Sequence, residues 1–260
     1  MDALPFENRI DIERLHNTVT DIKKEIASVV VGQEETIEML LAAILSNGHI
    51  LLEGVPGVAK TLTAKLIAKT IDVDFSRIQF TPDLMPSDVM GTNVFNPKNT
   101  TFEFRKGPIF SNIVLIDEIN RAPAKTQSAL FEVMEERSIT VDGNSYQLAP
   151  PFMVIATQNP VEHEGTYQLP EAQLDRFMFN IWLDYPTFQE ELQVVKNTTS
   201  ENKVTLNKVM TGAEILYFQQ LVRRVPVTDN VMEYAVGLVH KTRPNAQGSD
   251  LARTYISWGA

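Results

Sequence analysis

Lys60 and Thr61 close the run Gly54-Val55-Pro56-Gly57-Val58-Ala59-Lys60-Thr61, in which glycines precede a cation and a hydroxyl. Between a strand and a helix, such a loop offers unpaired backbone N–H groups and a partial positive charge to a phosphate chain. Lys60 then reaches the β- and γ-phosphates, and Thr61 sets its hydroxyl on Mg²⁺. The flanks suit this. Ile50-Leu51-Leu52 reads as a buried strand, and Leu62, Leu66 and Ile67 recur at helical spacing. One position departs from the general pattern G-x-x-x-x-G-K-[ST]: Ala59 stands where glycine precedes the lysine. Alanine there favours a helix-like backbone with negative φ, because positive φ is costly for a residue with a Cβ. The competing reading is a glycine-containing turn with no ligand.

A second group of chemical residues ends the run Ser111-Asn112-Ile113-Val114-Leu115-Ile116-Asp117-Glu118. Four apolar residues followed by two carboxylates describe a buried parallel strand with acid at its C-terminal edge, where open α/β sheets bind ligands. Asp117 is placed to hold Mg²⁺ through water, and Glu118 to polarise an attacking water. The plain alternative is a strand that ends in a polar turn. The apolar run of residues 152–157 is followed by Gln158-Asn159-Pro160, which brings Asn159 to the same edge. Asn159 there is either a ligand-facing amide or a strand-end cap.

The elements that must position these groups follow from periodicity. Residues 9–28 form an amphipathic helix with Ile10, Leu15, Val19, Ile22 and Ile26 on one face. Val29 to Gln33 break it, and a second helix runs from residue 34 to 45. Asn47-Gly48 ends that helix before the strand at His49. Residues 75–80 read as a strand. Residues 92–95 and 101–105 flank Asn96-Pro97-Lys98-Asn99 as a hairpin, in which the alternation of Phe102 and Phe104 fits a half-buried strand. A helix spans 123–136, and a second hairpin turns at Asp142-Gly143. A short helix spans 170–177 and a last core strand 178–183. Beyond Tyr185-Pro186 the pattern predicts helices near 187–199, 211–224 and 228–243 and no further strand. This divides the chain into an α/β core, residues 1–186, and a small helical lid, residues 187–260.

The chain has 260 residues, 43% hydrophobic and 22% charged, as an ordinary globular protein has. No apolar run approaches the ~18 residues of a membrane span, and the N-terminus lacks the apolar stretch of a secretory signal. A cytoplasmic protein is the expectation. With no cysteine, thiolate metal sites and disulfides are excluded, and the 4 histidines are too scattered for a zinc site. The net charge of −10 disfavours non-specific nucleic-acid binding.

Taken together these stretches resemble an AAA+ ATPase of the MoxR family. The resemblance rests on GVPGVAKT, LIDEINRAPAKTQSALFEVMEER, ATQNP and EGTYQLPEAQLDRF. It is strong over about residues 28–186, and Ala59 is the residue that MoxR proteins usually carry in this loop. It implies a P-loop core with a parallel five-stranded sheet, two inserted hairpins, and an all-helical lid. It implies Mg²⁺-dependent ATP hydrolysis. Residues 54–62 (Gly54, Val55, Pro56, Gly57, Val58, Ala59, Lys60, Thr61, Leu62) then hold the nucleotide as Walker A, and Thr61 and Asp117 hold the metal. Asp117 and Glu118 are Walker B, with Glu118 the catalytic base. Asn159 is sensor 1, and Arg176 is the arginine finger given to a neighbouring subunit. Val31, Gly32 and Gln33 pack near adenine. Each has a plainer reading. Arg176 could pair with Asp175 or Glu171, and Arg121 could touch a neighbour or satisfy a helix start.

The family points to an oligomeric chaperone, by resemblance a hexameric ring, acting on a client protein and often beside a von Willebrand factor A-domain partner. Its alternatives are a nucleic-acid-remodelling motor or a magnesium-chelatase-like subunit. A phosphotransferase needs no water-activating acid, so Glu118 weighs against it, and a non-hydrolysing switch or scaffold is decided by phosphate release. The family's lid carries a sensor 2 arginine within a Gly-Ala-Ser-Pro-Arg-like run. Gly259-Ala260 opens such a run, so the lid is expected to be cut short here.

Overall fold

A computed structural model describes residues 6–160, 166–199, 205–245 and 248–257, with side chains from residue 11 onward. Glu164 and Gly165 of the family-like wording, the side chain of Ile10, and Gly259-Ala260 lie outside the described residues. In chain order, α1 (Phe6–Ala27) and α2 (Glu34–Ser46) lead into β1 (His49–Gly54) and α3 (Lys60–Thr70). The two-residue β2 (Ile71–Asp72), then β3 (Phe75–Gln79) and α4 (Pro86–Met90), precede the first hairpin, β4 (Gly91–Asn96) and β5 (Thr101–Lys106). Next come β6 (Ile113–Asp117), α5 (Ala124–Glu136) and the second hairpin, β7 (Ser138–Val141) and β8 (Asn144–Gln147). Then follow β9 (Met153–Gln158), α6 (Glu171–Leu174), β10 (Phe177–Leu183), α7 (Phe188–Thr199), β11 (Met210–Thr211), α8 (Gly212–Arg223), α9 (Asp229–Thr242) and α10 (Asp250–Tyr255).

The sheet has five parallel strands in the order β10-β1-β9-β6-β3. Strands buried on both faces need continuous apolar runs, and the central ones have them: Ile50, Leu51, Leu52, Val114, Leu115 and Ile116 are fully buried. Alternate residues serve opposite layers. Ile50, Leu52, Leu115 and Ile155 pack with Ile22 and Ile26 of α1, Leu40 of α2, Ile67 of α3 and Phe218 of α8. Leu51, Val114, Ile116 and Val154 pack with Leu130, Phe131 and Met134 of α5. The sheet is thus a three-layer α/β core whose C-terminal strand edges face the loop after β1.

The chain divides into two compact units, Met1–Val222 and Arg223–Ala260, and Ile215, Phe218 and Leu221 of α8 join the core of the first. Two expectations are corrected. A further strand does occur after the core: β11 pairs parallel with β2. Phe102 is 72% exposed rather than half-buried. Its ring meets that of Phe95, itself exposed on the same hairpin, with centroids 5.4 Å apart.

Capping fixes the later helices. Thr187 and Glu190 form a reciprocal box at the start of α7: the Thr187 N–H donates to Glu190 at 2.6 Å, and the Glu190 N–H to the Thr187 hydroxyl at 3.4 Å. Thr211 and Glu214 repeat the pattern at α8. In the second unit, Ser249 caps α10 by accepting the Ala252 N–H at 3.1 Å. No helix among the described residues is long and apolar enough to cross a membrane.

Candidate functional site

The loop after β1 reaches α3 through two left-handed residues. Gly57 has φ +91, and a Cβ there would meet nothing within 4 Å, so glycine is needed for the backbone angle and not for space. Ala59 has φ 60 and ψ 21 and serves as the N-cap of α3. This corrects the expectation of a helix-like alanine. The turn into α3 imposes the left-handed conformation, and the small side chain tolerates it at a cost. The Lys60 ammonium folds back over its own loop, donating to Val55 O at 3.0 Å and to Gly54 O. Leu62, expected on the apolar face of α3, is 43% exposed and faces the cleft beside the loop.

The strand β6 delivers Asp117 and Glu118 next to this loop. Asp117 is buried, with 4% of its side chain exposed. Its Oδ1 accepts the Thr61 hydroxyl at 2.7 Å and the Thr157 hydroxyl at 3.3 Å. Its Oδ2 accepts Arg77 Nε at 2.5 Å. Glu118 has φ 58 and ψ 52, an unusual backbone for a non-glycine residue that turns its side chain out of the strand line. Its N–H donates to Thr157 Oγ1 at 3.1 Å. Its Oε2 accepts Gln79 Nε2 at 2.6 Å and pairs with Arg121 Nε at 3.2 Å. Arg121 is therefore a partner of Glu118, where the sequence suggested a neighbour contact or a helix start.

Loop residues 56–62, Lys65, Arg77, Gln79, both acids and residues 157–159 line one open cleft of about 510 Å³. Asn159, just past β9, is buried at its wall. The structure thus brings together the loop, Asp117, Glu118 and Asn159. It does not bring the others to the same wall. Val31, Gly32 and Gln33 do not line the cleft. Gln33 instead braces the loop, donating to Val58 O at 2.9 Å and accepting the Thr63 hydroxyl. Gly32 has φ +75, and a Cβ there would sit 2.1 Å from Glu190 Oε1 of α7.

Arg176 lies at the opposite edge of the sheet. It precedes Phe177, which pairs with His49, the first residue of β1, whereas Gly54 at the other end opens the loop. Five residues of strand separate those ends by about 17 Å. Arg176 donates to Glu135 Oε2 at 2.6 Å and to Ala172 O at 2.6 Å, not to Asp175 or Glu171, and its Nε is buried without a partner among the described residues. Beside it His49 is buried, accepting the Val154 N–H on Nδ1 at 2.9 Å and facing Met134 O from Nε2 at 3.2 Å. Burial holds its pKa down to about 4, the Met134 hydrogen bond opposes that, and the charge of Arg137 adds to the lowering.

Arg77, Gln79 and Thr157 were not singled out from the sequence. Arg77 and Gln79 are two apart on one face of β3 and Gln79 pairs with Asp117 across the ladder, but that adjacency exists only once β3 is placed beside β6. The signal available was the pair of long polar side chains two apart in a strand that holds Phe75 and Ile78.

The fold and the sequence were then compared with known proteins. The model of the ATPase family associated with various cellular activities (AAA) matches residues 49–179. The chain is 52% identical over 232 residues to the uncharacterized protein YeaC of Bacillus subtilis, covering 89% of this chain and 72% of that protein. It is 40% identical over 251 residues to Chaperone MoxR1 of Mycobacterium tuberculosis, covering 96% of this chain and 65% of that protein. The crystal structure of a candidate ATPase from Cytophaga hutchinsonii superposes with a TM-score of 0.86 at 45% identity, covering 97% of this chain and 78% of that one. The chain therefore spans about two thirds to three quarters of these relatives. With the five parallel strands, the loop and the acids in place, these likenesses assign it: the chain belongs to the MoxR family of AAA+ ATPases.

Proposed function

We propose that this chain binds ATP with Mg²⁺ in the cleft after β1 and hydrolyses it, and that ring-shaped oligomers use the hydrolysis to remodel a partner protein. The observation that carries the reading is the Thr61–Asp117 hydrogen bond of 2.7 Å, which puts a hydroxyl and a buried carboxylate where a phosphate-bound cation needs both. The donor set fits Mg²⁺, a hard ion that prefers oxygen and keeps several waters. When bound, the ion would draw charge from the phosphate oxygens.

The chain's own groups supply the rest. The N–H groups of the loop and of the start of α3 hold the phosphates. Lys60 leaves the loop carbonyls for the phosphate oxygens, a stronger charge-assisted bond. Glu118 takes the proton of the attacking water, and Asn159 orients that water toward the γ-phosphate. Arg176, remote from its own cleft, completes the site of a neighbouring copy. The division into nucleotide-binding core and lid, and the placing of 31–33 near adenine, belong to the same proposal. The client is a protein, since the relative with 40% identity is a chaperone by name.

Two variants test the chemistry. Lys60→Ala should lose most ATP affinity. Glu118→Gln should bind ATP and stop phosphate release, and should retain client proteins in an affinity pull-down. Hydrolysis at the parent rate in Glu118→Gln defeats the assignment.

A further inference from the structure

Asp117 is the one carboxylate of the cleft that is almost wholly removed from water, and an uncompensated buried charge is costly. In this structure the compensation comes from Arg77, whose Nε–H donates to Oδ2 at 2.5 Å. The two ends of the pair differ. Asp117 is 4% exposed and held on Oδ1 by Thr61 and Thr157, whereas the Arg77 side chain is 45% exposed. Asp117 is therefore fixed and Arg77 is free to leave. The second anchor of the guanidinium is weak: Nη2 lies 3.4 Å from Gln79 Oε1, beyond the usual hydrogen-bond distance. Lys60, another cation at the loop, donates to the loop carbonyls of Val55 and Gly54.

We propose that Arg77 is the resident counter-cation of Asp117 and competes with the divalent cation for it, so that metal entry requires Arg77 to swing off the carboxylate into the cleft. This rests on the nucleotide reading above for its purpose, but not for its physics. A divalent ion on the Thr61–Asp117 pair places two like charges against one carboxylate, and the mobile one yields. Released, the guanidinium stays at the wall of the same cleft, with donors suited to phosphate oxygens. Arg77 is a positioning residue in this account: it keeps Asp117 oriented and paired until the metal arrives.

The test titrates Mn²⁺ into the nucleotide-free chain and reads the free ion by electron paramagnetic resonance. Arg77→Met should bind Mn²⁺ about tenfold more tightly than the parent, because the competing charge is gone. Arg77→Gln, which keeps a hydrogen-bond donor but no charge, should do the same if the methionine variant fails to fold. Arg77→Lys should stay near the parent. Adding Asp117→Asn to any of them should remove the gain, which separates this site from other acidic patches. Melting supplies the second reading. The uncharged variants should melt below the parent without metal, and the gap should close as Mn²⁺ rises. Unchanged or weaker Mn²⁺ binding in both uncharged variants, with a melting deficit that metal does not repair, overturns the proposal and leaves a purely structural ion pair. Binding of a fluorescent ATP analogue by the parent is measured separately. A parent that binds no ATP while Arg77→Met gains Mn²⁺ defeats the nucleotide reading and leaves the competition standing. The reverse result defeats the competition alone.

Discussion

Thr61 donates its hydroxyl to Asp117 Oδ1 across 2.7 Å, tying the first turn of α3 to the acid-bearing end of β6. Two segments far apart in sequence thereby share one oxygen cluster. Thr61→Val keeps the shape and removes the hydroxyl. ATP affinity with Mg²⁺ should fall by about tenfold or more, as losses around metal sites do, while affinity in a chelator should stay near the parent value. Titration of a fluorescent ATP analogue under both conditions reads this. An equal loss in both would mean that Thr61 serves the loop and not the metal.

Ala59 carries a left-handed backbone with φ 60. Glycine there relieves the Cβ strain but gives the unfolded chain more freedom, so the two effects partly cancel. Ala59→Gly should stabilise the chain by roughly 0.5 kcal/mol and leave ATP binding intact. Urea unfolding with an unchanged slope measures it, and a clear destabilisation would mean that the methyl group packs usefully in the loop.

Arg176 is held by Glu135 and the Ala172 carbonyl on the far edge of its own sheet. Arginine fingers contribute on the order of 10³–10⁵ in rate. Arg176→Ala should bind ATP normally and hydrolyse it poorly, and mixed oligomers with Lys60→Ala should recover part of the rate. Co-assembled mixtures that recover nothing would count against action across an interface.

His49 is neutral in the folded chain at ordinary pH, its pKa held at about 4 against 6.5. The unfolded chain binds the extra proton between those values, so stability is full above pH 6.5 and is lost as pH falls toward 4. The loss from this group is about 3 kcal/mol. His49→Gln should flatten that part of the profile, since an amide can accept from Val154 and donate to Met134. A profile with the same slope in both chains would assign the loss to the carboxylates.

The strand interiors were legible because burial on both faces demands unbroken apolar runs, as at Ile50–Leu52 and Val114–Ile116. The second hairpin was legible because Asp142 and Gly143 both adopt positive φ, at 49 and 78, the geometry that an Asp-Gly pair announces. The loop and both acids were legible from residue type and spacing. What was hidden depends on neighbours distant in sequence. Arg77 meets Asp117 only through the pairing of β3 with β6. Helix α8 joins the core through Phe218, although its periodicity alone is that of any amphipathic helix. The backbone angle of the loop is equally silent: nothing in the identity of Ala59 reveals the positive φ that the turn imposes.

The two hairpins leave the core by different routes, one after α4 and one directly after α5, yet they are joined. Phe104 and Tyr146 stack with centroids 4.2 Å apart, and Asn93 hydrogen-bonds Asp142 across the gap between them. One ring stack and one hydrogen bond thus make a single ledge of two hairpins that the chain forms about forty residues apart. The ledge is contiguous with the helix before it: β7 pairs with β8 directly after α5, and at the start of α5 the Gln127 amide holds Ile119 O at 3.2 Å, one residue beyond Glu118.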